Sequence, residues 1–289
     1  MLCIKVSNTS KIEGFLTMKY KVTTPLAAKF IQNLQERGKQ FFTFDDAKVF
    51  LGYTEKGTTK FLKEIQIREL VLKIRYGLYC LVPFNESAND YLPNWHLIAS
   101  KVVGDTSYYI GYYSALELHS LITQPALIER VVVEKRMRPT QQNILDIRFQ
   151  FIHHNSKHFF GMKKTWIDKH NRVLCSDLEK TIIDCLFKPA YAGGIVEIGK
   201  ALHKAQDKLK YDKLFDYLIK FDSQAVIKRL GFLLELYQIE NPIIDKLQDV
   251  KSSSVIPLDP SLPKEGKIIS RWNIQINADS ETIKNAPYS

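Results

Sequence analysis

No apolar run in the 289-residue chain approaches the roughly 20 residues that a bilayer span requires. Met1 to Ser10 lack the apolar core of a secretory leader. Cysteine is scarce: Cys3, Cys80, Cys175 and Cys185 share no paired metal-ligand spacing, and three sit among apolar neighbours. That usage fits reduced thiols, so a cytoplasmic protein without a membrane partner is expected. Gly193-Gly194 is not followed by Lys-Ser/Thr, which rules out a phosphate-cradling loop there. The chain also lacks a Gly-Ser followed by Asp-x-Asp, which metal-dependent nucleotidyl transfer needs. No cofactor, metal site or catalytic residue is expected.

What remains is ordinary globular material, 45% hydrophobic and 25% charged, with length for two modest domains. The net charge of +10 is uneven. Residues 1–84 hold 14 Lys/Arg against 7 Asp/Glu, while residues 85–289 hold 27 against 24. A basic small domain on a nearly neutral large one points to a polyanion partner for the small one.

Residues 1–19 are polar and aperiodic and read as a flexible arm, with Met18 an alternative start. Thr24-Pro25 opens a helix in cap-then-proline order, with Leu26, Phe30, Ile31 and Leu34 on its apolar face and Gly38 at its end. Phe41 to Phe44 is short and extended. Asp45 or Asp46 is expected to cap a second helix closed by Gly52, and Thr54 starts a third that buries Phe61, Leu62 and Ile65. The period then changes: Val71 to Ile74 and Leu78 to Val82 read as strands joined at Arg75-Tyr76-Gly77.

Three short helices and a hairpin are the layout of a winged helix-turn-helix, expected over residues 20–84. In that module the third helix enters the major groove and the wing reaches the backbone. The expected DNA contacts are therefore Lys56, Thr58, Thr59, Lys60 and Lys63 on the helix, with Arg75 and Tyr76 at the wing tip. A winged helix used only for protein contacts is the plainer alternative.

Residues 85–278 read as a larger domain, with 279–289 a tail. Helices are expected over residues 93–103, after a Ser114 cap, and over 195–209, 212–220 and 223–237, with Asn241-Pro242 opening a last one. Strands are expected over residues 130–134 and 144–152, and over 271–277 returning to the same sheet. The fold class is thus α+β, with a winged helix followed by a mixed domain. Ser176 and Glu179 have capping-box spacing ahead of the apolar face Leu178, Ile182, Cys185 and Leu186, and Pro189 stops that helix. A metal-dependent nuclease would need an acid two residues before Lys180, where Leu178 stands. His153, His154 and His158 read as a polar loop rather than a metal site.

Several stretches together resemble the AbiEi-type antitoxins, the transcription-regulating halves of type IV toxin–antitoxin pairs in abortive phage infection. They are Leu62-x-x-Ile65 with Val71-x-Lys73-Ile74-Arg75-Tyr76-Gly77-Leu78-Tyr79, and Tyr108-Tyr109-Ile110-Gly111-Tyr112-Tyr113-Ser114-Ala115-Leu116 with His119. Further on come Ser176-x-x-Glu179-Lys180-Thr181-x-x-Asp184, Arg229-Leu230-Gly231-Phe232, and Trp272-x-Ile274-x-Ile276-Asn277. Their order and spacing carry the resemblance from about residue 20 to 278. Glu69 departs from it, standing where such wings usually place glycine or another small residue. The resemblance implies a repressor that binds its own promoter at inverted repeats and antagonises a nucleotidyltransferase-type toxin without an obligatory complex. The competing class is a nucleic-acid-processing enzyme, a nuclease or nucleotidyltransferase, targeted by a winged helix.

Overall fold

The computed structural model describes residues 21–169 and 171–288. The expected N-terminal arm and Cys3 lie outside the described residues. The chain divides into two compact units, one ending at Tyr91 and the other beginning at Leu92. This lies beyond the expected break at 84/85. Residues 85–91 belong to the first unit because the Ala88 amide donates to Glu69 and Gln40 donates to the Tyr91 hydroxyl.

In the first unit, helix α1 (Pro25–Glu36) is capped by Thr24, whose hydroxyl accepts from the Ala27 amide at 3.2 Å. Strand β1 (Phe41–Thr43) leads into α2 (Phe44–Leu51). The α2 cap is Thr43, not Asp45 or Asp46. Its hydroxyl accepts from the Asp46 amide while Asp46 accepts from the Thr43 amide, a reciprocal box. The strand ends one residue earlier than the aspartates suggest, leaving Asp46 at the third helical position. Helix α3 (Glu55–Ile67) follows, capped by Thr54, and then strands β2 (Val71–Arg75) and β3 (Leu78–Leu81). The three strands pair antiparallel in the order β1-β3-β2. Phe30 packs edge-on against Phe42 and Phe61 at 5.1 and 5.6 Å between centroids, joining the sheet to both long helices.

The second unit is built on a mixed six-stranded sheet. Helix α4 (Trp95–Val102) precedes β4 (Tyr108–Ile110) and α5 (Tyr112–Leu118). Strands β5 (Ile128–Val133), β6 (Gln141–Ile144), β7 (Ile147–His153), β8 (Met162–Trp166) and β9 (Arg172–Ser176) follow. Their order is β6-β7-β5-β4-β9-β8, with β5/β7 and β4/β9 parallel. The strand expected over 144–152 is in fact the β6–β7 hairpin, turning at Leu145-Asp146 with φ of 51° and 62°. No glycine or asparagine announces that turn. Ser114 does not cap α5. It is buried, and its hydroxyl accepts from the Arg130 amide at 2.9 Å, while Gly111 precedes the helix.

A helical block follows: α6 (Leu178–Phe187), α7 (Gly194–Ala205), α8 (Tyr211–Phe221), α9 (Gln224–Leu236) and α10 (Ile243–Val250). Strands β10 (Ile256–Pro257), β11 (Ile268–Ile269) and β12 (Ile274–Gln275) form a separate small sheet, so residues 271–277 do not return to the large one. Trp272 is fully buried, and a Cβ at Gly231 would sit 2.1 Å from its ring, so only glycine fits on α9 there. The supposed tail folds as α11 (Ser280–Asn285), with Ile283 buried. The protein is α+β, with eleven α-helices and three sheets among the described residues.

Helices α1, α3, α5 and α9 end alike. Gly38, Glu69, Ser120 and Gln238 adopt φ of 62°, 56°, 57° and 55°, and the next amide reaches back to Leu34, Ile65, Leu116 and Leu234 respectively. Only the first has glycine, so the other three hold a side chain in a conformation that costs about 1 kcal/mol. Ser120 is exposed. Ser120→Gly is expected to raise unfolding stability by roughly 0.5–1 kcal/mol in urea melts. An unchanged or lower midpoint would mean this cap is not strained.

Candidate nucleic-acid interface and a buried polar cluster

The 3.6-residue period of α3 sorts its side chains into two faces. Phe61, Leu62 and Ile65 are buried, and Thr58 joins them, three, four and seven residues earlier. Thr58 was expected among the DNA contacts. It is fully buried instead, its hydroxyl donating to the Thr54 carbonyl at 3.1 Å, so it cannot reach a groove. Lys56, Thr59, Lys60 and Lys63 are exposed. Among the described residues none of these lysines pairs with a carboxylate. Nearby, Lys48 meets Glu55 at 3.4 Å and Arg68 meets Glu64 at 2.9 Å. The Thr59 hydroxyl donates to the Glu55 carbonyl at 2.8 Å, which leaves its oxygen as an outward acceptor.

The hairpin stands beside this face. Gly77 takes φ of 74° at the turn, and its carbonyl accepts from the Phe44 amide, fastening the tip to the start of α2. Tyr76 is 94% exposed and Arg75 is exposed beside it. Lys73 lies 5.8 Å from the Tyr76 ring. Between α3 and the hairpin runs a groove of about 540 Å³ whose wall includes Thr59, Lys63, Gln66, Lys73 and Tyr76, along with Asp45 and Glu55. Gln66 and Lys73 were missed from the sequence. Gln66 shares the helix face of Lys63 and Thr59, so helical periodicity carried its signal. The strand period gives none for Lys73, because the register shifts between Lys73 and Arg75.

The second unit treats charge in the opposite way. Ser176 is the last residue of β9 and does not cap α6. Asp177 does, accepting from the Lys180 amide at 3.0 Å. Pairing of Ser176 with Met162 holds it in the sheet, so the helix starts one residue later than the Ser-x-x-Glu spacing suggests. The Ser176 hydroxyl instead meets that of Thr181 at 2.7 Å. Glu179 accepts from the Lys210 amide and, at 2.7 Å, from Lys213, which also meets Asp177 at 3.0 Å. Burial pushes the Glu179 carboxyl up, but these donors outweigh it and hold it below the usual range.

The next residue, Lys180, forms an ion pair with Asp184 one helical turn on, both wholly buried. The lysine also donates to the Tyr109 hydroxyl at 3.0 Å, and Tyr109 donates to Asp184 at 2.9 Å. His154 is buried too. It meets the Tyr109 hydroxyl through Nδ1 at 3.2 Å and the Tyr112 hydroxyl through Nε2 at 2.7 Å. Burial, then the nearby Lys180 ammonium, push its pKa down to about 2, so the ring is neutral. Proton counting then assigns the tautomer: Tyr109 spends its hydrogen on Asp184, so Nδ1–H donates to Tyr109 and Nε2 accepts from Tyr112.

His154 does lie in the connection that follows β7, but it is buried and hydrogen-bonded rather than solvated. His158 stacks on Phe221 at 3.8 Å, and His153 ends β7. Among the described residues no group of three or more His, Cys, Asp or Glu could hold a metal. Arg229 is buried with its guanidinium on the carbonyls of Leu186 and Pro257, and burial pushes it down to about 10. It satisfies the end of α6 rather than a ligand. His119 likewise meets the Ser176 carbonyl at 2.8 Å.

No family model matches the sequence, and no curated protein matches it. Among solved structures, the crystal structure of the RV2827C protein from Mycobacterium tuberculosis is similar, with a TM-score of 0.66 at 13% identity. The likeness covers 88% of this chain and 92% of that one. At such identity it speaks for the fold alone.

The buried pair yields a sharp expectation. Lys180→Met leaves the Asp184 carboxylate without its counter-charge and should cost about 3–5 kcal/mol in denaturant melts. Lys180→Met with Asp184→Leu should recover much of that loss. Equal losses in the single and double variants would show that packing, not charge pairing, governs the site.

Proposed function

We propose that the first unit is a winged helix-turn-helix module that binds duplex DNA, and that the protein is a transcriptional regulator acting as an antitoxin. The observation that carries this reading is the exposed face of α3. Lys56, Lys60 and Lys63 stand there without carboxylate partners among the described residues, beside a hairpin tip bearing Lys73, Arg75 and Tyr76. Unpaired cations on one helix and an adjacent loop match the phosphates of a duplex entered through its major groove. The order of helices and strands in the unit supports the same reading. Thr59, with its outward acceptor, and Gln66, in the groove wall, are the groups suited to base edges.

The antitoxin role rests on the resemblance to AbiEi-type antitoxins. It implies repression of the protein's own promoter and antagonism of a nucleotidyltransferase-type toxin, with no direct complex required. A cytoplasmic location follows from that role. The competing enzyme reading needs free acidic ligands for a metal. Asp177 and Glu179 are committed to Lys213, and Asp184 to Lys180.

Binding isotherms on the protein's promoter duplex and on random duplex, at several salt concentrations, test the proposal. Lys60→Ala should weaken both complexes and reduce the salt slope by about 0.9. Thr59→Ala should narrow the gap between promoter and random DNA by roughly 1–3 kcal/mol. If both variants bind both duplexes like the parent, α3 does not face DNA.

A further inference from the structure

The β8–β9 hairpin carries a second cationic surface that the duplex-binding proposal does not use. Strand β8 is an edge of the six-stranded sheet. At its end Trp166 pairs directly across from Arg172, whose guanidinium lies 3.5 Å from the ring centroid. One face of the indole is thus covered, yet Trp166 remains 55% exposed, which leaves its other face and edge open to solvent. Trp272, by contrast, is wholly buried. Lys164 shares the strand face of Trp166, two residues away, and Lys169 lies in the turn; both are exposed. Among the described residues neither they nor Arg172 pair with a carboxylate. Asp168 accepts from the Asn171 amide at 2.8 Å and the Ile167 amide donates to the Asn171 carbonyl at 3.1 Å.

An open aromatic face backed by a guanidinium, flanked by unpaired lysines, complements a polyanion that also presents planar rings. A single nucleic-acid strand does so, whereas a duplex hides the faces of its bases. We propose that this hairpin binds a single nucleic-acid strand. One base stacks on the open face of Trp166, while Lys164, Lys169 and the N–H edge of Arg172 take the adjacent phosphates. Neither the indole nor the cations read the sugar, so DNA and RNA strands are bound alike. The inference does not rest on the role given to α3.

Full-length protein titrated with short labelled oligo-dT and oligo-U tests it, with anisotropy for affinity and tryptophan emission for stacking. The parent should bind both strands similarly, with quenched emission. Trp166→Ala should lose at least about fivefold in affinity. Trp166→Phe should keep most of the affinity and lose the quenching, a readout that a folding defect would not mimic. Lys164→Ala with Lys169→Ala should weaken binding and flatten its salt dependence, while Lys163→Ala, on the opposite strand face, should change neither. Lys60→Ala should leave strand binding intact, which separates this result from the fate of the duplex proposal. Several results would overturn the inference: no strand binding by the parent, equal binding by Trp166→Ala, or a preference of about tenfold or more for one sugar. Displacement by polyglutamate at equal charge would also overturn it, marking the hairpin as a surface for an acidic protein.

Discussion

The ion pair between Lys180 and Asp184 is the constraint on which the second unit depends. Two charges without solvent contact are tolerable only if every remaining hydrogen-bonding site is filled. Tyr109, placed by β4, fills two of them, and from its hydroxyl the network runs on through His154, just past β7, to Tyr112, opening α5. Tyr112 takes φ of 54°, uncommon for a bulky residue, to aim its hydroxyl inward. Sheet, crossing helix and α6 are therefore held in one arrangement by a polar network rather than by apolar packing alone.

This network accounts for the segments that look most like functional motifs. The tyrosine-rich stretch from Tyr108 and the run from Ser176 to Asp184 meet each other inside the unit. Their acids and bases are spent on structure: Glu179 and Asp177 tie α6 to α8 through Lys213, and Arg229 closes the other end of α6. Among the described residues, cations along α3 are exposed and unpaired, whereas the charges of α6 are buried or paired; the second unit keeps unpaired cations at the β8–β9 hairpin.

The first unit was largely legible in the sequence because its signals are local. Thr24-Pro25, Thr54 and Gly52 mark helix ends by backbone chemistry that acts within four residues. Thr58 was misjudged because a short polar side chain satisfied by the preceding turn looks, in sequence, like an exposed one. The second unit was less legible because its decisive pairings are remote. Ile110 pairs with Cys175, and Tyr109 meets Asp184, across stretches that no local period links. Met162 to Trp166 escaped notice as a strand because three of its five residues are exposed and two of them are lysines. The cap shift from Ser176 to Asp177 has the same origin, since sheet pairing, not cap preference, chose between two good capping residues.

Lysine reactivity mapped by mass spectrometry, with and without promoter duplex, tests the central claim most directly. Full-length protein would be acetylated at low reagent in both states and each lysine scored separately. The account predicts that Lys56, Lys60, Lys63 and Lys73 lose reactivity when duplex is bound, while exposed Lys204 and Lys208 of the second unit do not. Unchanged reactivity along α3 with protection at Lys204 and Lys208 would contradict it.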